Sequence, residues 1–211
     1  MRTQLKILNL VSGMYLLAAG MLGPIYAVFV QEIGGGTFTA GAAYGVYTIA
    51  AGIMIYIMSR IEDRIDHQEK LITFGYALST IGFLGYLLVQ KPVHLFLVQT
   101  IIGLAAAIRI PAFDSYYSKN LDKGKFASEW GIWESMSWIV AGISAIVGGA
   151  VASLLSFHTL FIAMAIVSFI GVLLSFMLWP DGRKKKDPQQ HYFRELLGAQ
   201  RRRFRAHIFG K

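Results

Sequence analysis

The residues most able to do chemistry in this chain are ionisable groups set inside apolar runs: Arg109, Asp114 and Glu134. Charge in hydrocarbon is costly, so such groups normally face a cavity or a partner. Glu134 lies in Ser128–Trp138, SEWGIWESMSW, which holds three of the four tryptophans, Trp130, Trp133 and Trp138. Seventeen uncharged residues follow it, IVAGISAIVGGAVASLL. On a helix, Trp130 and Trp138 share the Glu134 face, four residues before and after it, and Ser137 flanks that face. Apolar rings favour a neutral carboxyl, whereas a nearby arginine favours the charged form. At a rise of about 1.5 Å per residue, Arg109 lies roughly 15 Å above Lys119 and Glu134 roughly 12 Å above Phe126, so an Arg109–Glu134 pair is expected. Two roles stay open for it: a proton carrier in a cavity, or a static ion pair locking two helices. Asp114 is shallower and reads as an interfacial group. Tyr15, Tyr26, Gln99 and Thr100 are candidate cavity-lining residues, although packing and interhelical hydrogen bonding are the commoner roles for each.

The elements that position these residues are apolar throughout. The 211 residues are 55% hydrophobic and 15% charged, with a mean hydropathy of +0.52. A soluble domain carries about a quarter charged residues. Six runs approach the roughly twenty residues a spanning helix needs: Leu5–Val30, Phe38–Met58, Leu71–Val89, Val93–Tyr117, Phe126–Leu155 and Thr159–Trp179. The first is too long for a signal peptide and lacks a cleavage site. The expected fold is all-α and polytopic: a six-helix domain over 1–180 and a basic tail over 181–211. There are no cysteines, hence no disulfide framework and no thiol metal site. Ten of the twenty Lys and Arg fall in the last 32 residues, leaving ten basic against nine acidic in the remainder. A basic excess confined to a tail argues against a nucleic-acid binder.

Loop charge sets the expected orientation. Arg2 and Lys6, then Arg60, Arg64 and Lys70, then Lys119, Lys123 and Lys125, then the tail, all fall on one side, and the opposite loops hold a single Lys91. The positive-inside rule puts both termini in the cytoplasm, with a prokaryotic plasma (inner) membrane as the expected setting. Small residues, Gly41 and Gly45 in the second span and Gly148, Gly149, Ala152 and Ser153 in the fifth, allow close helix approach. Phe193, Leu197, Phe204 and Ile208 recur at helical spacing among Arg201, Arg202, Arg203 and Arg205, the pattern of an amphipathic helix on anionic lipid.

There is also a weak internal repeat. Tyr44-Gly45-Val46-Tyr47 opens the second span and Trp130-Gly131-Ile132-Trp133 the fifth. A proline precedes each, Pro24 and Pro111, and an Ala-Gly-Ile follows each, at Ala51 and Ala141. A three-helix unit repeated after three helices is necessarily inverted, a plan known in transporters. An interfacial aromatic belt is the competing explanation for Tyr44 and Trp130.

With six spans, alternating loop charge and this repeat, the chain resembles one six-helix half of the major facilitator superfamily over about residues 5–180. That family carries a G-x-x-x-D-R-x-G-R-K-type loop between its second and third helices. Here the loop is SRIEDRIDHQEKL, Ser59–Leu71, in which Asp63 and Arg64 match, Ser59 and Asp66 replace the glycines, and His67 and Gln68 replace the basic pair. The family's R-x-x-x-G-x-x-x-G-x-x-x-P has its counterpart in Gln99, Gly103, Ala107 and Pro111, with the arginine replaced and Arg109 lying deeper. Gly148-Gly149 matches the end of the antiporter G-P-x-x-G-G, but Ser144 and Ala145 replace its start, which leaves antiport unsupported.

The resemblance implies a transporter, not an enzyme, with no cofactor. It works by alternating access on a small solute, with proton coupling as an addition. Family members usually join two halves, so this chain is expected to be either a piece of a longer protein or a half-size transporter forming a parallel two-fold homodimer. The resemblance places Asp63 against the partner's residues 124–128, including Ser128, as a cytoplasmic gate with Arg64 and Asp114 nearby. The rival expectation is a non-transporting membrane scaffold in which Arg109–Glu134 is structural. An intramembrane enzyme has no support from a nucleophile elbow, a His-rich metal set or a membrane Ser–His pair.

Overall fold

The structure is a computed structural model and describes residues 1–62 and 64–179. These form seven α-helices and no strand: α1 (Thr3–Gly20), α2 (Tyr26–Glu32), α3 (Thr37–Glu62), α4 (Gln68–Gly85), α5 (Pro92–Asn120), α6 (Phe126–Leu154) and α7 (Phe157–Ser175). Six helical stretches are long and apolar enough to cross a membrane: Thr3–Glu32, Thr37–Glu62, Gln68–Leu88, Pro92–Asn120, Phe126–Leu154 and Phe157–Leu178. Their number and order match the hydropathy reading. The basic tail and Asp63 lie outside the described residues.

The first span departs from the continuous helix expected over Leu5–Val30. It ends at Gly20 and resumes at Tyr26, joined by a 3₁₀ turn, Gly23–Ile25. Pro24 has no N–H to give and clashes with the carbonyl four residues back, and Gly20 and Gly23 add nothing to helix propensity. Pro111 has the same defect but sits among strong helix formers and buried neighbours, Ala105, Ala106, Ala107 and Ala112. There α5 runs on through the proline. The second half of the first span is held by Phe29, whose ring meets Phe161 at 4.8 Å and Tyr86 at 6.0 Å.

Several ends are fixed by local chemistry. After α2, Gly34 takes φ of 80°, and its N–H and that of Gly35 bond to Gln31 and Val30 at 3.0 and 2.8 Å. That is a Schellman closure, which favours glycine at the left-handed position. Pro92 occupies the first turn of α5, where no N–H is needed. Ser156 caps α7 by accepting from Thr159 N–H at 3.1 Å, as N-cap serines do.

The helices pack side by side in the order α3, α5, α4, α7, α1, α6. In α5, a Cβ on Gly103 would lie 2.7 Å from the Tyr47 carbonyl of α3. In α6, Gly148 lies against the Met21 carbonyl, where a Cβ has no room. Gly41 and Gly45, by contrast, face open space. The centre of the arc is tied by buried hydroxyls. Thr80 meets Ser168 at 2.7 Å, Ser175 donates to Thr73 at 2.9 Å, and Ser12 meets Tyr76 at 2.7 Å. In lipid such bonds and close packing replace the hydrophobic push between helices.

Candidate functional site

A cavity of about 250 Å³ opens beside the break in the first span. Tyr15 of α1 lines it, with Leu22 and Gly23 of the break and Tyr26 of α2. Tyr44 and Tyr47 come from α3, Phe83 from α4, Gln99 and Ile102 from α5, and Met164 from α7. Tyr86 closes the end after α4. The interrupted helix is what brings Tyr26 round to α5, where Gln99 Nε2 donates to its hydroxyl at 2.7 Å. The wall is therefore aromatic with phenol and amide groups projecting from it, and carries no Asp, Glu, Lys or Arg. Pockets of this composition suit small organic molecules.

Arg109 borders the cavity. Its guanidinium carbon lies 4.2 Å from the centroid of Tyr15, a lining residue, and 5.5 Å from that of Tyr76. Tyr47 is also within its electrostatic reach. Nε of Arg109 is buried without a hydrogen-bond partner. Among the described residues no carboxylate comes within 4.0 Å of it. Ring faces partly offset the desolvation of such a cation.

The expected Arg109–Glu134 pair is not made within this chain. Glu134 is exposed on α6, and its carbonyl accepts from Ser137 at 2.7 Å. Trp138 is 76% exposed. Trp130 and Trp133 turn inward onto α5, with Trp130 on Tyr117 at 4.5 Å and Trp133 on Phe113 at 4.5 Å. The single face expected for Trp130, Glu134 and Trp138 is split because each four-residue step rotates by roughly 40°, about 80° over eight residues. Thr100 bonds back to the Phe96 carbonyl of its own helix at 2.8 Å. So Tyr15, Tyr26 and Gln99 share the cavity, Arg109 adjoins it, and Glu134, Ser137 and the three tryptophans lie elsewhere. Tyr76, Phe83 and Tyr86 were not singled out from sequence, although their spacing of seven and three along α4 and its extension marks one helical face.

At the proposed gate, Arg64 and Asp114 are exposed, and Ser128 bonds within its own turn, donating to the Lys125 carbonyl at 3.0 Å. A carboxylate passed over in the sequence is the ordered one. Glu129 is 2% exposed and accepts from Asp122 N–H at 2.9 Å. The Met1 amino group lies 3.1 Å from it, and Tyr117 donates to its backbone carbonyl at 2.6 Å. Asp122, in the α5–α6 loop, is held below the usual carboxylate range by the Met1 amino group first and then by Arg2.

A family model for the Major Facilitator Superfamily matches residues 8–208. The chain belongs to that family. It is 20% identical over 157 residues to the uncharacterised MFS-type transporter YitZ of Bacillus subtilis, covering 74% of this chain and 95% of YitZ. To the quinolone resistance protein NorB of Staphylococcus aureus it is 30% identical over 140 residues, 64% of this chain and 29% of NorB. To the uncharacterised MFS-type transporter MJ1560 of Methanocaldococcus jannaschii it is 23% identical over 168 residues, 79% of this chain and 43% of MJ1560. The chain thus spans nearly all of one relative and less than half of the other two. It is an integral membrane protein of a family of solute transporters, which are not enzymes.

Proposed function

We propose that the chain is a secondary transporter of a small solute, working by alternating access as a parallel homodimer. The observation that carries this reading is the tyrosine-lined cavity built where the first span is interrupted. Discontinuous spanning helices are a recurrent way for transporters to build a binding site near mid-membrane. Two further features support it. The packing order α3, α5, α4, α7, α1, α6 reads the same, reversed, when the first three spans are exchanged with the last three. That is what an inverted three-helix repeat requires. The end helices of the arc, α3 and α6, have only 11% of their apolar windows buried, and several of their glycines, including Gly45, Gly52, Gly131 and Gly142, meet nothing. A second copy related by a two-fold axis along the membrane normal would lay α3 of one protomer on α6 of the other.

In that dimer the exposed Glu134 would look onto the partner rather than onto lipid, which makes it the candidate proton carrier. Asp63 would meet the partner's residues 124–128, including Ser128, when the cytoplasmic side shuts, with both termini on that side. The tail from 181 would lie along the anionic inner leaflet. A scaffold held by an Arg109–Glu134 pair is disfavoured, because within the chain these two groups do not meet.

The decisive experiment is reconstitution of the full chain in liposomes, with cysteines replacing Asp63 and Ser128. Crosslinks between protomers that form in one transport state, together with solute flux absent from protein-free vesicles, are the expected result. A monomer at every concentration, or no flux across a broad solute panel, would sink the reading. Glu134→Gln should abolish gradient-driven uptake and spare exchange if that carboxyl carries the proton.

A further inference from the structure

We propose that the cavity's ligand is an organic anion with an aromatic or bulky apolar body, the anionic group engaging Arg109 and the body resting among the tyrosines. This rests on the solute-binding reading above and narrows the class of solute.

Arg109 is fixed in place. Its Cβ packs against Gly75 of α4, where a Cβ would lie 2.7 Å from it, and its guanidinium carbon is 4.2 Å from the Tyr15 ring centroid. Tyr15 therefore has two roles, lining the cavity and carrying the cation on its ring. Tyr47, another lining residue, lies within electrostatic reach of Arg109. Arg109 lies behind this lining, so an anionic group seated against Tyr15 would come under its charge. No carboxylate within 4.0 Å balances this cation among the described residues, and Nε is buried and unpaired. The Tyr15 and Tyr76 rings and hydroxyls attract the guanidinium, but neither gives the planar, two-point contact that a carboxylate or phosphonate makes with it. Asp114 reaches Arg109 only at longer range, so the direct two-point contact is the one a bound anion would supply.

The lining restricts the rest of the ligand. Tyr15, Tyr26, Tyr44, Tyr47, Phe83 and Tyr86 offer ring faces and edges. Such a wall suits an aromatic or bulky aliphatic body, and the hydroxyls with Gln99 provide a few directional contacts. A cationic ligand of the same size would also find ring faces, but it would have to sit beside Arg109 in a medium of low dielectric constant, where like charges repel strongly. Charge at the ligand's end, rather than ring contact, should therefore decide which molecules bind.

The test compares probes that share a ring and differ in charge. Binding of benzoate, phenylphosphonate, benzyl alcohol and benzylamine to the detergent-purified full chain is measured by calorimetric titration into the millimolar range. Benzoate and phenylphosphonate are expected to bind about tenfold to a hundredfold more tightly than benzylamine, the ratio a charge-assisted hydrogen bond gives. Arg109→Gln should lose that preference and Arg109→Lys should keep part of it. The ligand comparison uses the unaltered chain, so it stands even if Arg109→Gln does not fold. Equal or tighter binding of benzylamine, no saturable anion binding, or an unchanged preference in a folded Arg109→Gln would overturn the proposal. Phenylphosphonate flux in liposomes separates this from the transport reading. Binding without flux leaves the anion site standing and counts against transport. Flux of benzylamine in preference to the anion keeps transport and overturns the anion site.

Discussion

The middle and the ends of the helix arc are built on different principles. The spans containing α4, α5 and α7 have 50%, 44% and 44% of their apolar windows buried, whereas those of α3 and α6 have 11% each. In the middle, helices meet through paired hydroxyls, such as Thr80 with Ser168 and Ser175 with Thr73. Small residues are spent in two ways. Gly103 and Gly148 are pressed against neighbouring backbone, while Gly41, Gly45, Gly142 and Gly149 face open space. Closely packed glycines explain how this chain folds. The open ones meet nothing in the single chain, and the proposed second copy would give them a helix to pack against.

The largest expected effect separates those two kinds of glycine. Gly103→Ala puts a methyl group 2.7 Å from the Tyr47 carbonyl and should cost about 1–3 kcal/mol, as overpacking does. Gly45→Ala, in open space, should leave unfolding of the chain unchanged or slightly improved, while weakening crosslinking between protomers. Thermal unfolding in detergent and crosslinking yield would read both. Equal losses of stability for the two would erase the distinction between middle and ends.

A comparable split exists within α6. Glu129 is buried and hydrogen-bonded, whereas Glu134, five residues on, is exposed. Glu129→Gln weakens a buried acceptor and should destabilise by roughly 1–3 kcal/mol. Glu134→Gln should stay within about 0.5 kcal/mol, as exposed substitutions do, with its effect confined to flux. Smaller again is the hydroxyl pair of the middle. A double-mutant cycle with Thr80→Val and Ser168→Ala should give a coupling of roughly 0.5–1.5 kcal/mol, the range for interhelical hydrogen bonds in membranes. No coupling would mean that shape alone holds α4 to α7.

The spans were legible in the sequence because length and hydropathy suffice for them. The interruption of the first span was signalled by Pro24 without being drawn from it, since Pro111, an equal defect, leaves α5 whole. Tyr15, Tyr26 and Gln99 were legible as polar groups in apolar runs. What sequence could not supply is which way each helix faces. In a soluble helix the apolar stripe marks the buried face. Here both faces are apolar, so no stripe tells lipid from interior. Glu134 was therefore placed inward and Glu129 overlooked, and Tyr44 read as well as an interfacial belt residue as the cavity-wall residue it is.

The smallest effect tests the loop that anchors the buried end of α6. Asp122 contacts the Met1 amino group at 3.3 Å and Arg2 Nε at 3.2 Å, and the amino group, then Arg2, lower its affinity for a proton. A carboxyl with a depressed folded-state pKa contributes stability that is fully present above its unfolded value, about 3.9. That contribution is lost as pH falls through the lower folded value. Neutral and mildly acidic buffers should thus leave this contact untouched, and only strongly acid conditions should release α1 from the α5–α6 loop. Asp122→Asn removes the titrating group, so its unfolding should be less acid-dependent below pH of about 4 than that of the unaltered chain. Because the contact is solvent-exposed, added salt should shrink the difference. A difference between the two proteins that persists unchanged in high salt would rule out the exposed Asp122 ion pair as its source.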